Sequence, residues 1–298
     1  MRTLKQLAFG CFLSLSAAVS LFAHAAVPAA ALQDAAQGVS ALRSRYAQLA
    51  PRLDQNEFGR PLYLESQEGE NTLRGEVFAV VSHPFEQVRT LGLAENWCQV
   101  MLMPYNTKQC IPADDALAVF VGRKSESSVS DAFRVDFHYA VRSSSDDYFQ
   151  VQLDAKSGPL GTHDYRIGLE AAPLDGGRTF IHLSYSYAFG TMSRLAMQTY
   201  LATAGANKVG FSIEGRDDAG APRYVHGVRG VIERNTMRYY LAIEAFVDSL
   251  AAPPEMRVEK RLRDWYAAAE RFPRQLHEMP LDEYLAMKRR EYARLAQR

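Results

Sequence analysis

Cysteine and tryptophan are scarce in this chain, with three of the first and two of the second among 298 residues. Net charge is absent as well, since 34 basic side chains are balanced by 34 acidic ones. A balanced chain projects no global field that would gather a polyanion, so nucleic acid is not an expected partner. No nucleophile motif, phosphate-cradling glycine loop or metal-binding histidine pair occurs. His163 beside Asp164 and His226 beside Gly227 are isolated and lack ligand spacing. Gly205 and Gly210 interrupt a helical stretch rather than opening one, which leaves a nucleotide without a cradle. No cofactor and no metal is expected.

The amino-terminal residues carry a different signal. Arg2 and Lys5 precede an apolar stretch over 7–22, and Ala23 and Ala25 flank His24, the layout of a cleavable export signal. Cleavage after Ala25 is expected, giving an exported protein, periplasmic if the source is Gram-negative. An uncleaved anchor is the alternative, although the stretch is short against the roughly 20 residues a bilayer span needs. Phe9 argues against a lipoprotein signal at Cys11. Removal of the signal leaves Cys98 and Cys110, which in an exported chain read as one disulfide. A hydrophobic content of 47% supports one sizeable core and excludes wholesale disorder.

The middle of the chain alternates with the period of half-buried strands. Phe133, Val135, Phe137, Tyr139 and Val141 share one face, opposite Arg134, Asp136, His138 and Arg142. Phe149, Val151 and Leu153 oppose Gln150 and Gln152; Tyr165, Ile167 and Leu169 oppose Asp164, Arg166 and Glu170. Ile181, Leu183, Tyr185, Tyr187 and Phe189 oppose His182, Ser184 and Ser186. Short polar turns at 143–146, 157–159 and 175–177 make these neighbours an antiparallel meander. A hairpin of 62–66 with 72–81 precedes it, followed by short helices at 85–91 and 94–101. A helix over 193–209, rich in alanine and glycine, closes the unit.

The expected fold class is therefore α+β, a curved antiparallel sheet of about six to seven strands packed on a long helix. An amino-terminal helix over 39–53, with a kink or early stop at Pro51, and further helices at 231–250, 255–271 and 281–296 complete it. The organisation reads as a signal at 1–25, an extension at 26–60, the sheet domain at 61–213 and a helical extension at 214–298 packed on the same domain.

The stretch Gly75-Glu-Val-Phe-Ala-Val-Val-Ser-His-Pro-Phe-Glu-Gln-Val ends a strand at a proline and enters a short helix, and Asn96-Trp97-Cys98 lies on the next. In this order the chain resembles START-like, SRPBCC superfamily proteins over residues 72–212. The resemblance implies a helix-grip fold and an enclosed hydrophobic ligand such as a lipid, sterol or polyketide. Some members are cyclases or hydrolases. The strand at 62–66, the cysteine pair and everything after 212 depart from the minimal pattern.

The inward residues Phe137, Tyr139, Phe149, Tyr165, Ile167, Leu183, Tyr185 and Tyr187 are the expected cavity lining, and the same residues equally suit a solid core. On the opposite face, His138 beside Asp136 or His182 beside Asp164 has the composition of an oriented general base, and equally that of solvated cross-strand pairs. Lys288, Arg289, Arg290, Arg294 and Arg298 suit a transient contact with anionic headgroups, or a solvated helix face. The expected function is an exported binder or carrier of a lipid-like hydrophobic small molecule. A cyclase or hydrolase using the same cavity is one alternative. An interaction module with a filled cavity, presenting Trp265 and Tyr266, is another.

Overall fold

A computed structural model of the protein describes residues 29–125, 127–203 and 205–296. The expected export signal lies outside the described residues. The chain runs through α1 (Ala29–Asp54), β1 (Leu62–Glu68), β2 (Thr72–Val81), α2 (Phe85–Arg89) and α3 (Ala94–Met101). There follow β3 (Thr107–Pro112), β4 (Ala116–Val121), β5 (Phe133–Ser144), β6 (Phe149–Ser157), β7 (Thr162–Leu174) and β8 (Arg178–Phe189). Then come α4 (Thr191–Ala202), a small hairpin of β9 (Ile213–Arg216) and β10 (Pro222–Tyr224), and α5 (Gly227–Ser249). The chain ends in α6 (Arg257–Glu270), α7 (Pro273–Leu276) and α8 (Leu281–Ala296).

Eight strands form one antiparallel sheet in the order β1-β2-β8-β7-β6-β5-β4-β3. The strand beyond the expected six to seven is β3, whose Thr107, Lys108 and Gln109 look too polar for a buried strand. They are nevertheless buried, because α8 covers this edge of the sheet. Covering it removes a free row of backbone donors and acceptors. Lys108 and Lys288 lie fully inside that contact and share Glu291. Lys288 also donates to the carbonyls of Pro104 and Thr107, at 2.6 and 2.9 Å. Burial pulls its pKa down to about 8 against the opposing pull of Glu291. Of the expected basic run, Lys288 is thus interior, Arg289 is held by Glu259, and Arg298 lies outside the described residues. Among the described residues no helix is long and apolar enough to cross a membrane.

The helix gripped by the sheet is α5, not the segment 193–209. Ile232, Tyr240, Ile243 and Phe246 of α5 join the main core with Val77, Leu169 and Leu183 of the sheet. Its polar residues are buried too, and each has a partner. Glu233 is fully buried and accepts from the Phe211 and Ser212 amides and from the Ser66 and Ser212 hydroxyls, at 2.6–2.9 Å. That carboxylate ties β1 and the chain after α4 to one point on α5. α5 prevails because it brings large apolar side chains along a long helix to a face that needs filling, whereas α4 already ends at Ala202. At the crossing with β2 the two backbones come close. A Cβ added to Gly75 would overlap Thr236 Oγ1 and press to 3.3 Å from Ile232 Cγ1.

The second face of the sheet is covered over half its width by α1. Val39, Leu42, Leu49 and Leu53 form one stripe at helical spacing and pack on Phe78, Val80, Ala172 and Phe180. The helix begins before the expected stretch and passes through Pro51 to Asp54. On the other side α6 packs on α5, with Trp265 fully buried and its Nε1 donating to Arg238 O at 3.1 Å. Tyr266 donates to Met279 O. Of the docking surface expected of Trp265 and Tyr266, Trp265 is therefore interior and Tyr266 is half-buried. Cys98 on α3 and Cys110 on β3 form a disulfide that pins the covered edge strand to the helix layer.

Two outcomes are expected. Gly75→Ala lowers unfolding free energy by about 1–3 kcal/mol through overpacking at α5, measured by urea denaturation against the native protein. Replacing both cysteines with alanine lowers it by on the order of 3 kcal/mol in the same measurement. An unchanged midpoint in either case contradicts the corresponding contact.

Candidate functional site

Between α5 and the β4–β5 half of the sheet the packing opens into a chamber of about 190 Å³. Its floor is built by alternation: Val119 and Val135 are direct partners across β4 and β5, with Phe137 one inward position further on. Tyr185 and Tyr187 enter from β8, and Val231, Asn235 and Tyr239 form the wall given by α5. Ser193 and Met197 of α4 close one side, beside the turn at Pro159–Gly161. Leu160 in that turn lines the chamber yet is 73% exposed, which puts the opening there. Its φ of 58° lies in the left-handed region, a strained state for a leucine.

A β-bulge shapes the remaining wall. The pairing of β7 with β8 shifts between His163 and Arg166, and Asp164 takes φ 51° there. The extra residue turns Thr162 and Tyr165 to the same side, where strict alternation would separate them. Their hydroxyls meet at 2.6 Å. Tyr165 stacks on Tyr187 at 5.2 Å between centroids, and Tyr185 meets Tyr239 edge-on at 5.4 Å. Burial raises the pKa of all four tyrosines, so each phenol stays neutral at ordinary pH. Among the described residues no carboxylate, imidazole or ammonium lines the chamber.

Of the eight expected lining residues, Phe137, Tyr165, Tyr185 and Tyr187 face this space. Tyr139, Phe149, Ile167 and Leu183 lie in filled core, where Tyr139 donates to Leu91 O at 2.9 Å. Phe133 and Val141 were expected on the inner face, and each is 41% exposed at the ends of β5. A bulge follows Val141 and breaks the alternation. Sequence reasoning missed Thr162, because the bulge is not legible, and Ser193, Asn235 and Tyr239, because their helices were assigned other positions.

The charged residues read from alternation stand on the far face. His138 lies in an open groove with Asp136 and Asp154, and Asp136 is engaged by Arg134. His182 meets neither Asp164 nor the chamber. It is clamped between Glu170 at Nδ1 (2.7 Å) and Glu76 at Nε2 (2.8 Å), with its ring stacked on Phe78 at 4.2 Å. Tyr148 donates to Glu170, and Arg74 to Glu76 at 2.7 Å. Burial alone would lower the His182 pKa, but the two carboxylates outweigh it and raise it. Burial would likewise raise Glu76, yet hydrogen bonds from His182 and Arg74 hold it at about 2. Every partner in this cluster is occupied, which suits fastening α1 and the second face rather than catalysis. Among the described residues no group of three or more histidine, cysteine, aspartate or glutamate side chains could hold a metal.

No family model matches the chain, and no curated protein matches it. Among solved structures it is similar to norcoclaurine synthase from Thalictrum flavum, at 14% identity and TM-score 0.32, over 47% of this chain and 90% of that one. Human StAR-related lipid transfer protein 5 follows at 11% and 0.30, over 58% and 92%. CalU16 from Micromonospora echinospora stands at 9% and 0.29, over 70% and 96%. Likeness at this level transfers neither ligand nor mechanism to this chain.

The charge cluster makes a pH prediction. Stability from the raised His182 pKa is full below 6.5 and is lost as pH rises through the folded value. Stability from the lowered Glu76 pKa is full above 4.5 and is lost as pH falls toward about 2. The stability difference between the native protein and His182→Gln is therefore greatest between pH 4.5 and 6.5 and shrinks on both sides. Urea unfolding across pH 3–9 would check it, and a pH-independent difference would contradict the clamp.

Proposed function

We propose that this protein is a binding protein for a compact, uncharged, largely apolar molecule held between the sheet and α5. The observation that carries this reading is a chamber of about 190 Å³ lined by apolar residues, four tyrosines and the neutral polar groups of Asn106, Thr162, Ser193 and Asn235, with no ionised side chain among the described residues. An engineered apolar cavity of roughly 150 Å³ accepts benzene, so the space suits an occupant of about one ring. Drug-sized ligands occupy sites of about 300–1,000 Å³. A space of this size suits a compact occupant better than the lipid-like one expected from sequence.

A binding role is favoured over a cyclase or hydrolase because the general acid or base such chemistry needs must reach the substrate. His138 and His182 are on the other face of the sheet, and the tyrosines inside are held protonated by burial. The basic and apolar leader and the disulfide both support a place of action outside the cytoplasm.

Toluene is a suitable neutral probe. Titration calorimetry should show saturable binding to the native protein, and Val135→Phe, which fills the floor, should weaken it by at least about tenfold. The substitution should leave unfolding free energy within about 1.5 kcal/mol of native. No saturable binding to the native protein, or equal binding to both, would contradict the proposal.

A further inference from the structure

The polar groups of the chamber are Asn106, Thr162, Ser193, Asn235 and four tyrosine hydroxyls, of which those of Thr162 and Tyr165 engage each other. Asn235 has its amide oriented by the protein: Arg238 Nη1 donates to its Oδ1 at 3.3 Å. With one lone pair of the oxygen already engaged by Arg238, the NH2 contributes donors to the chamber wall. Ser193 Oγ is buried and has no hydrogen-bond partner among the described residues. An orphaned hydroxyl in an apolar setting is costly unless an occupant satisfies it. Tyr239, one turn along α5 from Asn235, brings a hydroxyl to the same wall.

Charge selects further. Arg234 and Arg238 are both buried behind the lining, close enough to act on the Tyr187 and Tyr239 hydroxyls. Arg238 is paired with Glu278, so what disfavours a cationic guest is that it would shed its water without meeting a carboxylate in the described lining, even though four tyrosine rings would attract it. A carboxylate guest would have to shed its water without meeting a cation in the lining. The negative end of a neutral dipole suffers neither penalty.

We propose that the chamber takes an uncharged ligand of about one ring whose single oxygen accepts hydrogen bonds from Asn235, Ser193 and Tyr239. This assignment rests on the reading of the chamber as a binding site and names the chemistry of its occupant. An aryl ketone or similar neutral carbonyl compound meets each requirement. The apolar ring lies on Val119, Val135 and Phe137, and the oxygen points to α5 and α4.

The test uses four probes of matched shape on the full-length protein, with calorimetry as the readout: acetophenone, α-methylstyrene, benzoate and benzyltrimethylammonium. α-Methylstyrene replaces the ketone oxygen with a methylene, so the pair isolates the hydrogen bonds. Acetophenone should bind at least about tenfold tighter than each of the other three. Asn235→Leu and, separately, Tyr239→Phe should reduce that preference over α-methylstyrene while leaving α-methylstyrene itself bound. Equal affinity for acetophenone and α-methylstyrene overturns the assignment and leaves the apolar binding site standing. Tightest binding of benzoate or of the ammonium compound also overturns it. Failure of all four probes to bind removes both the assignment and the binding site. If Asn235→Leu does not fold, the comparison on the native protein decides the question without it.

Discussion

The close approach of α5 to β2 at Gly75 is the constraint on which the rest depends. With no side chain at that position, Thr236 and Ile232 settle directly on the strand. α5 packs on β1, β2 and β8 from this contact, and the polar anchor at Glu233 holds it there. The far strands β4 and β5 are served instead by α3 and by the long tyrosines of β8 and α5. A helix pinned to one half of a twisted sheet leaves a wedge over the other half. The chamber occupies that wedge, so its existence is a consequence of where the helix is fastened rather than of any one lining residue.

The two faces of the sheet divide the chemistry. Period-two alternation sends Phe137, Tyr185 and Tyr187 to the α5 side and His138, Glu170 and His182 to the other. These three ionisable side chains of the sheet are thereby separated from the chamber by the thickness of the sheet. The ionisable groups under α1 are fastened to one another: Arg74, Glu76, His182, Glu170 and Tyr148 form one chain of hydrogen bonds. Arg45 of α1 pairs with Glu65 and lies over the Phe78 ring at 4.8 Å. A neutral chamber and a charged seam are thus two outcomes of one alternating pattern.

Much of the sheet was legible in the sequence because half-buried strands repeat every second residue and their turns carry recognisable chemistry. The hairpin of β1 with β2, the β5–β8 meander and the Cys98–Cys110 pair all follow from such local rules. The choice of gripping helix was not legible. Glu233, Arg234 and Arg238 make α5 look like a surface helix, and only the assembled fold supplies the partners that permit their burial. The same holds for β3, whose Lys108 is buried by a helix nearly two hundred residues later. In the chamber, alternation located the tyrosines of β8, but a bulge of one residue at Asp164 decided that Thr162 joins them.

The most direct test of the account is the position of a compact neutral ligand inside the protein. Isotope-edited nuclear Overhauser spectra of valine-methyl-labelled protein with bound acetophenone should show contacts from the ligand ring to the methyls of Val119, Val135 and Val231. Contacts to Val39 or Val80 instead would put the ligand between α1 and the sheet. That result would contradict a chamber created by the way α5 is fastened.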